Sequence, residues 1–194
     1  MNIVFHCLTA AGIGHVAASG FREPGSNTLR WSDLPIVAGA AVVSFLSHGV
    51  LDGLKHGYPF SPLLDVVLGA SIATGWCLAV RGRFVLLFAA VFVASVLPDL
   101  IDLAPVMLKS KLGIDLHLEA GGRLFPWHWP DGSGSMFPNS SAAPDRFKIL
   151  DVGQNRAVSA ANHAIVLVIA AACVWLNPSI FRRRRLLFPA PEKM

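Results

Sequence analysis

Phe84-Val85-Leu86-Leu87-Phe88-Ala89-Ala90-Val91-Phe92-Val93-Ala94-Ser95-Val96-Leu97-Pro98-Asp99-Leu100-Ile101-Asp102-Leu103 carries no charge until Asp99. At ~1.5 Å per residue, a helix of this length reaches the ~30 Å thickness of a bilayer's hydrocarbon. Working outward, four comparable apolar stretches occupy residues 2–21, 34–56, 61–80 and 157–176. The whole chain of 194 residues is 54% hydrophobic and only 14% charged, with mean hydropathy +0.56. Soluble chains run near ~25% charged. This profile excludes a disordered chain, a coiled coil and a water-soluble enzyme. It predicts an all-α fold: a polytopic transmembrane bundle of about five helices in a single domain, residues 1–194. The polar stretch 109–156, rich in Gly, Pro and Ser, reads as one long outer loop, and residues 177–194 as a basic tail.

Cys7, Cys77 and Cys173 lie far apart, each inside an apolar stretch, and read as small packing residues rather than a disulfide framework. The net charge of +4 comes largely from Arg182-Arg183-Arg184-Arg185, directly after the last apolar stretch. That block reads as a cytoplasmic membrane flank, and no aromatic-interleaved basic surface points to nucleic acid. By parity of the spans, the Arg81-Gly82-Arg83 reversal, Arg22, Arg30 and Lys193 share the side of the arginine block. The expected placement is a multi-pass protein of the cell's inner (plasma) membrane, with its amino terminus and long loop outside and its carboxyl terminus in the cytoplasm.

The ionisable residues of the spans then collect at one depth. His6 lies near the outer end of the first span, His48, Asp52 and His56 in the outer third of the second, Asp99 and Asp102 at the end of the fourth, and His163 near that of the fifth. His48, Asp52 and His56 follow one another at i, i+4 and i+8, a drift of only about 40° per step, so they share a helix face. Asp99 and Asp102, at i and i+3, share another, and Pro98 frees a carbonyl one turn back. A carboxylate in hydrocarbon costs a few kcal/mol (~3 on the lenient insertion scale) and persists when paired, solvated or coordinated. Imidazole and carboxylate from several helices of a bundle make buried metal sites, and this donor mixture suits Zn²⁺, with Mn²⁺ or Fe²⁺ as alternatives.

Each residue also has a plainer reading. His48 and Asp52 can be a helix-stabilising pair, Asp99 a helix end in headgroup water, and His163 an interhelical hydrogen bond. Asp65 shares the outer level as a supporting partner. His15 lies deeper and reads as a packing residue, while His117 and His128 fall in the long loop and are weak candidates.

The stretch Ser47-His48-Gly49-Val50-Leu51-Asp52-Gly53-Leu54-Lys55-His56 resembles the S-H-x-x-L-D-x-x-x-H element of small bacterial membrane proteins described as membrane-bound metal-dependent hydrolases. Leu97-Pro98-Asp99 resembles their L-P-D element, His6 matches a His on their first helix, and His163 a late-helix His. The group is distantly similar to zinc-dependent phospholipase C. The likeness covers the spans and not the 109–156 loop. It departs from the group in lacking H-R-G-x-T-H-S and in placing the next aspartate, Asp102, three residues after Asp99 rather than two.

The resemblance implies a metal held by His48, Asp52, His56 and Asp99, with His6, Asp102 and His163 as further ligands or supports. It implies an acidified water, oriented or deprotonated by Asp102 as the catalytic carboxylate. At a membrane face the implied partner is lipid, and the implied substrate a lipid phosphoester or another membrane-associated ester. Phe125-Pro126-Trp127-His128-Trp129-Pro130 reads equally as a lid or as an interfacial anchor. Two other classes fit the same residues: a small ion or proton transporter, and a non-catalytic structural or interaction protein whose polar residues hold helices together.

Overall fold

In a computed structural model, residues 3–21, 28–54, 62–80, 82–105, 108–109, 113–114, 124–128, 152–176 and 180–181 are described. Among them the regular structure is helical: α1 (Ile3–Ala18), α2 (Leu34–Gly53), α3 (Pro62–Ala79), α4 (Gly82–Asp102) and α5 (Val152–Leu176). Short 3-10 turns cover Trp31–Asp33 and Pro126–His128. Each helix falls on one of the predicted apolar stretches, so the all-α expectation holds. Two segments, Trp31–Gly53 and Gly82–Asp102, are long and apolar enough to cross a membrane, with mean hydropathies of 1.9 and 2.5. The apolar parts of the other three helices are shorter.

α1 is the central element and packs against α2, α3, α4 and α5, while α2 also lies along α4. Its sequence explains why. Ala10, Ala11, Gly12, Gly14 and Ala18 are buried, and such small residues let neighbouring helices come close. At Gly14 the approach is closest: a Cβ there would stand 2.6 Å from the fully buried Phe88 ring of α4. The free N–H groups that open α1 are capped from another helix. Asp65 of α3 accepts from the Ile3 N–H at 2.8 Å and the Val4 N–H at 3.1 Å. A carboxylate at a helix N-terminus meets both the orphan donors and the dipole. Asp65, expected from the sequence to support the polar site, is thus a cap supplied across the bundle. At the opposite end of α1, Ile180 and Phe181 return to the turn between α3 and α4, where Val80 and Phe181 form an isolated antiparallel bridge.

Polarity is distributed the reverse of a soluble domain. His6, His15, His48, Asp33, Asp52 and Arg83 are buried, whereas Leu63, Leu78, Val93 and Val168 are more than half exposed. Arg83 lies in the core with its guanidinium carbon 5.2 Å from the Phe21 ring centre and 4.9 Å from that of Phe84. The aromatic faces offer its charge a partner where water is excluded.

The Gly14–Phe88 contact makes a signed prediction. Helix propensity alone would make Gly14→Ala more stable by about 1 kcal/mol. Overpacking against the ring is expected to outweigh this and lower stability by about 1–3 kcal/mol. Thermal unfolding of detergent-purified protein should show a lower midpoint for Gly14→Ala, with recovery when Phe88→Leu is added.

Candidate metal centre

His48 and Asp52 lie one turn apart near the end of α2, and both are buried. Asp99 approaches from α4, next to Pro98, which lies inside that helix. Proline has no N–H, so the backbone ladder opens at this turn. The Ser95 carbonyl, on the same turn, accepts a hydrogen bond from His48 Nδ1 at 2.6 Å. A carbonyl can only accept, so the hydrogen is on Nδ1 and His48 Nε2 is left as a donor atom for a cation. The fourth group comes from outside the helices. The turn Pro126–His128 brings His128 Nε2 to 3.2 Å from His48 Nε2, 3.2 Å from Asp52 Oδ2 and 3.2 Å from Asp99 Oδ1. His48 Nε2 itself is 3.1 Å from Asp52 Oδ2 and 3.6 Å from Asp99 Oδ1.

These distances can be compared with a coordination polyhedron. Zinc takes nitrogen and oxygen at ~2.0–2.1 Å in a tetrahedron, whose edges are then ~3.3 Å. The five donor separations above lie between 3.1 and 3.6 Å, and all four donor atoms fall within 4.8 Å of one another. Two imidazole nitrogens and two carboxylate oxygens therefore converge around a volume of the size a small divalent cation needs.

A surrounding layer fixes the four donors. His6 is fully buried, stacks on His48 with ring centres 3.9 Å apart, and its Nε2 lies 3.2 Å from Asp52 Oδ1. The Ser95 hydroxyl donates to the His6 carbonyl at 2.9 Å, tying α1 to α4 at this level. Asp102 accepts from His128 Nδ1 at 2.8 Å and from the Leu124 and Phe125 backbone N–H groups at 2.8 and 3.0 Å. It therefore binds the whole 124–128 cap to the end of α4. The cap is seated on α2 by aromatic packing, with the Phe125 and Trp127 rings 5.6 and 5.8 Å from Phe45. Gly49 makes room for it: a Cβ there would stand 2.7 Å from the Trp127 ring.

The sequence-derived residues are thus distributed unevenly. The structure brings together His48, Asp52 and Asp99, with His6 one contact away on Asp52. Asp102 holds His128 and the cap backbone. His163 lies on α5 with its ring 4.1 Å from Phe5, a placement away from the four converging donors. His56 lies outside the described residues. His128, a weak candidate by sequence, completes the set. Its one local signal is the Pro126-Trp127-His128-Trp129-Pro130 run in an otherwise polar segment.

Burial alone would disfavour a charge on His128, but Asp52, Asp99 and Asp102 outweigh it and push its pKa up from 6.5 to about 9. A raised value means that the charge-assisted attachment of the cap is complete below pH 6.5 and is lost as pH rises through about 9. In chelator-treated protein, carbethoxylation of His128, which needs the neutral ring, is expected to begin only as pH nears 9. Gly49→Ala should displace Trp127 and shift that onset toward 6.5; an unchanged onset would mean that the cap does not depend on the glycine. The site rests on geometry alone, for no protein-family model, curated protein or solved structure matches the chain.

Proposed function

We propose that this chain is a polytopic membrane protein that holds a divalent cation, Zn²⁺ by preference, between His48, Asp52, Asp99 and His128, and that it hydrolyses a membrane-associated ester such as a lipid phosphoester. The near-tetrahedral convergence of two imidazoles and two carboxylates from three separate elements carries the reading. Buried charge inside and branched aliphatic side chains outside support the membrane placement, because hydrocarbon reverses the usual partition of polar and apolar groups. The bundle would cross the inner membrane several times, with the arginine-rich tail on the cytoplasmic side. α1, ~24 Å long by its rise, would need local thinning of the bilayer, a modest cost.

Bound there, the cation would supply Lewis-acid polarisation of the ester and acidify a water. The chain's own residues then have separate tasks. His48, Asp52 and Asp99 stand on helices and form a rigid half of the site. His128 arrives on a short turn, so it is the donor whose withdrawal leaves room for water or substrate. Asp102 keeps His128 in its orientation, a positioning role rather than the proton-carrying one expected from sequence. His6 orients Asp52 from its far oxygen. Hydrolysis adds water across the ester bond, and the proton released by water passes to the departing alcohol.

One observation favours a second reading. Catalytic zinc sites keep a position open, whereas four protein donors close the tetrahedron as in structural sites. A cation held without turnover would make the cluster a clamp between α2, α4 and the cap.

Elemental mass spectrometry of detergent-purified protein tests the common core of both readings. Close to one metal per chain is expected in the wild type, and loss in folded His48→Ala, Asp52→Ala and His128→Ala. His163→Ala should retain it. Asp102→Asn and His6→Phe, which touch only the surroundings of the donors, should weaken binding by roughly 10–100-fold. No metal in the wild type after reconstitution with excess Zn²⁺ would sink the proposal. Metal without hydrolysis of any phosphoester or acyl ester would leave the structural clamp.

A further inference from the structure

A cavity of ≈ 450 Å³ lies beside the metal centre, bounded by α1, α2 and α5. Its floor is made of small residues, Gly12, Ala40 and Ala170, and its lips are Val16, Val43 and Ile169, each more than half exposed. It therefore opens sideways between α2 and α5 rather than toward the cap. Among its lining side chains, Thr9 and Cys173 are the only ones with a heteroatom. Volume and apolar lining are those of a ligand pocket.

Its position relative to the centre is informative. The upper end is marked by Leu51, next to Asp52, and by Val166, three residues past His163. From there it descends along α2 to Ala40, ~16 Å by helix rise, along α1 from Thr9 to Ala17, and along α5 to Cys173. Half of the ~30 Å hydrocarbon thickness is ~15 Å. A trench that begins at a polar site, stays apolar and spans one leaflet has the dimensions of a single extended alkyl chain.

We infer that this groove is the chain-binding subsite of the metal centre and that the substrate is a lipid whose ester or phosphoester lies at His48, Asp52, Asp99 and His128 while one acyl or alkyl chain lies in the groove. The inference rests on the membrane and ester reading above, and it specifies the substrate as a lipid rather than a soluble ester. A short-chain ester would leave the trench unfilled and forgo its contacts.

Cys173 lines the groove and serves as reporter, while Cys77 on α3, away from it, is the internal control. The experiment measures alkylation of each thiol by N-ethylmaleimide, resolved by peptide mass spectrometry. The full chain is held in a steroid-based detergent, whose rigid rings cannot take the place of a linear chain. The probe is dodecylphosphonate, a non-hydrolysable amphiphile, with methylphosphonate as the chainless comparison. With dodecylphosphonate at roughly ten times its Kd, alkylation of Cys173 is expected to slow about tenfold. Cys77 should be unaffected and methylphosphonate should protect neither thiol. Val43→Trp, a change on the exposed lip that leaves the core packing alone, should abolish the protection. Asp52→Asn should weaken it by removing the anchor for the phosphonate.

Absence of protection in a wild type that carries stoichiometric metal would overturn the groove assignment while the metal centre stands. Protection in a wild type without metal would uphold the groove and sink the metal reading instead. Slow alkylation of Cys173 without probe, accelerating on dilution of the protein, would assign the groove to a second copy of the chain and overturn the inference.

Discussion

A single carboxylate, that of Asp52, is the point through which the elements of this protein are joined. It is only 5% exposed, and three imidazoles face it: His6 from α1, His48 from its own helix and His128 from the cap. A carboxylate taken out of water without compensation is among the costliest groups a fold can contain. Its presence obliges α1 to lie with His6 at this depth, α2 to present its 48/52 face inward, and the 124–128 turn to come down on top. Asp99 adds a second carboxylate from α4, so the demand for positive charge at the centre exceeds what one histidine supplies. A cation, or in its absence a proton on His128, answers that demand. The raised pKa of His128 is the same electrostatic requirement seen from the other side.

The packing of the bundle serves this point. Small residues on α1 allow α4 and α5 to approach, and the Gly14–Phe88 contact sets the separation between α1 and α4. The Ser95 turn of α4 then reaches both His6, through its hydroxyl, and His48, through its carbonyl. Pro98 contributes by what it lacks, since a regular ladder at that turn would compete for such carbonyls. Asp65 completes the arrangement from below the cluster's own chemistry, holding the start of α1 so that His6 is delivered in register. The groove beside the site has the same origin: the glycine and alanines that bring α1 close to its neighbours leave no side chains to fill the space between α2 and α5.

Much of this was legible before any coordinates. The helices fall where the apolar runs are, and the i, i+4 spacing of His48 and Asp52 places them on one face, as found. Asp99 joins them because the depth argument is one-dimensional and the helices are nearly straight rods of known rise. His163 passes the same test of depth but faces Phe5, since depth along a helix says nothing about rotation around it when the helix is apolar on all sides. Arg83 is included in α4, which begins at Gly82 rather than at the first apolar residue, because aromatic faces can shelter a guanidinium in a way no hydropathy sum records. His128 was underrated for a different reason. It is brought 80 residues along the chain to His48 by a loop, and no periodicity connects the two.

The sequence by itself determined the all-helical class, the positions of the helices, and that imidazole and carboxylate groups gather at one level of the bundle. These follow from local rules: hydrophobic run length, helical spacing, and the cost of charge in an apolar setting. Tertiary structure alone decided which of those groups meet. The choice of His128 over His163, the use of Asp102 as a tether and Asp65 as a cap, and the trench leading away from the site depend on rotation of helices about their axes and on the descent of a loop. Those are set by side-chain packing between segments remote in sequence, at Gly14 against Phe88 and Gly49 against Trp127, where the missing Cβ leaves room for a ring.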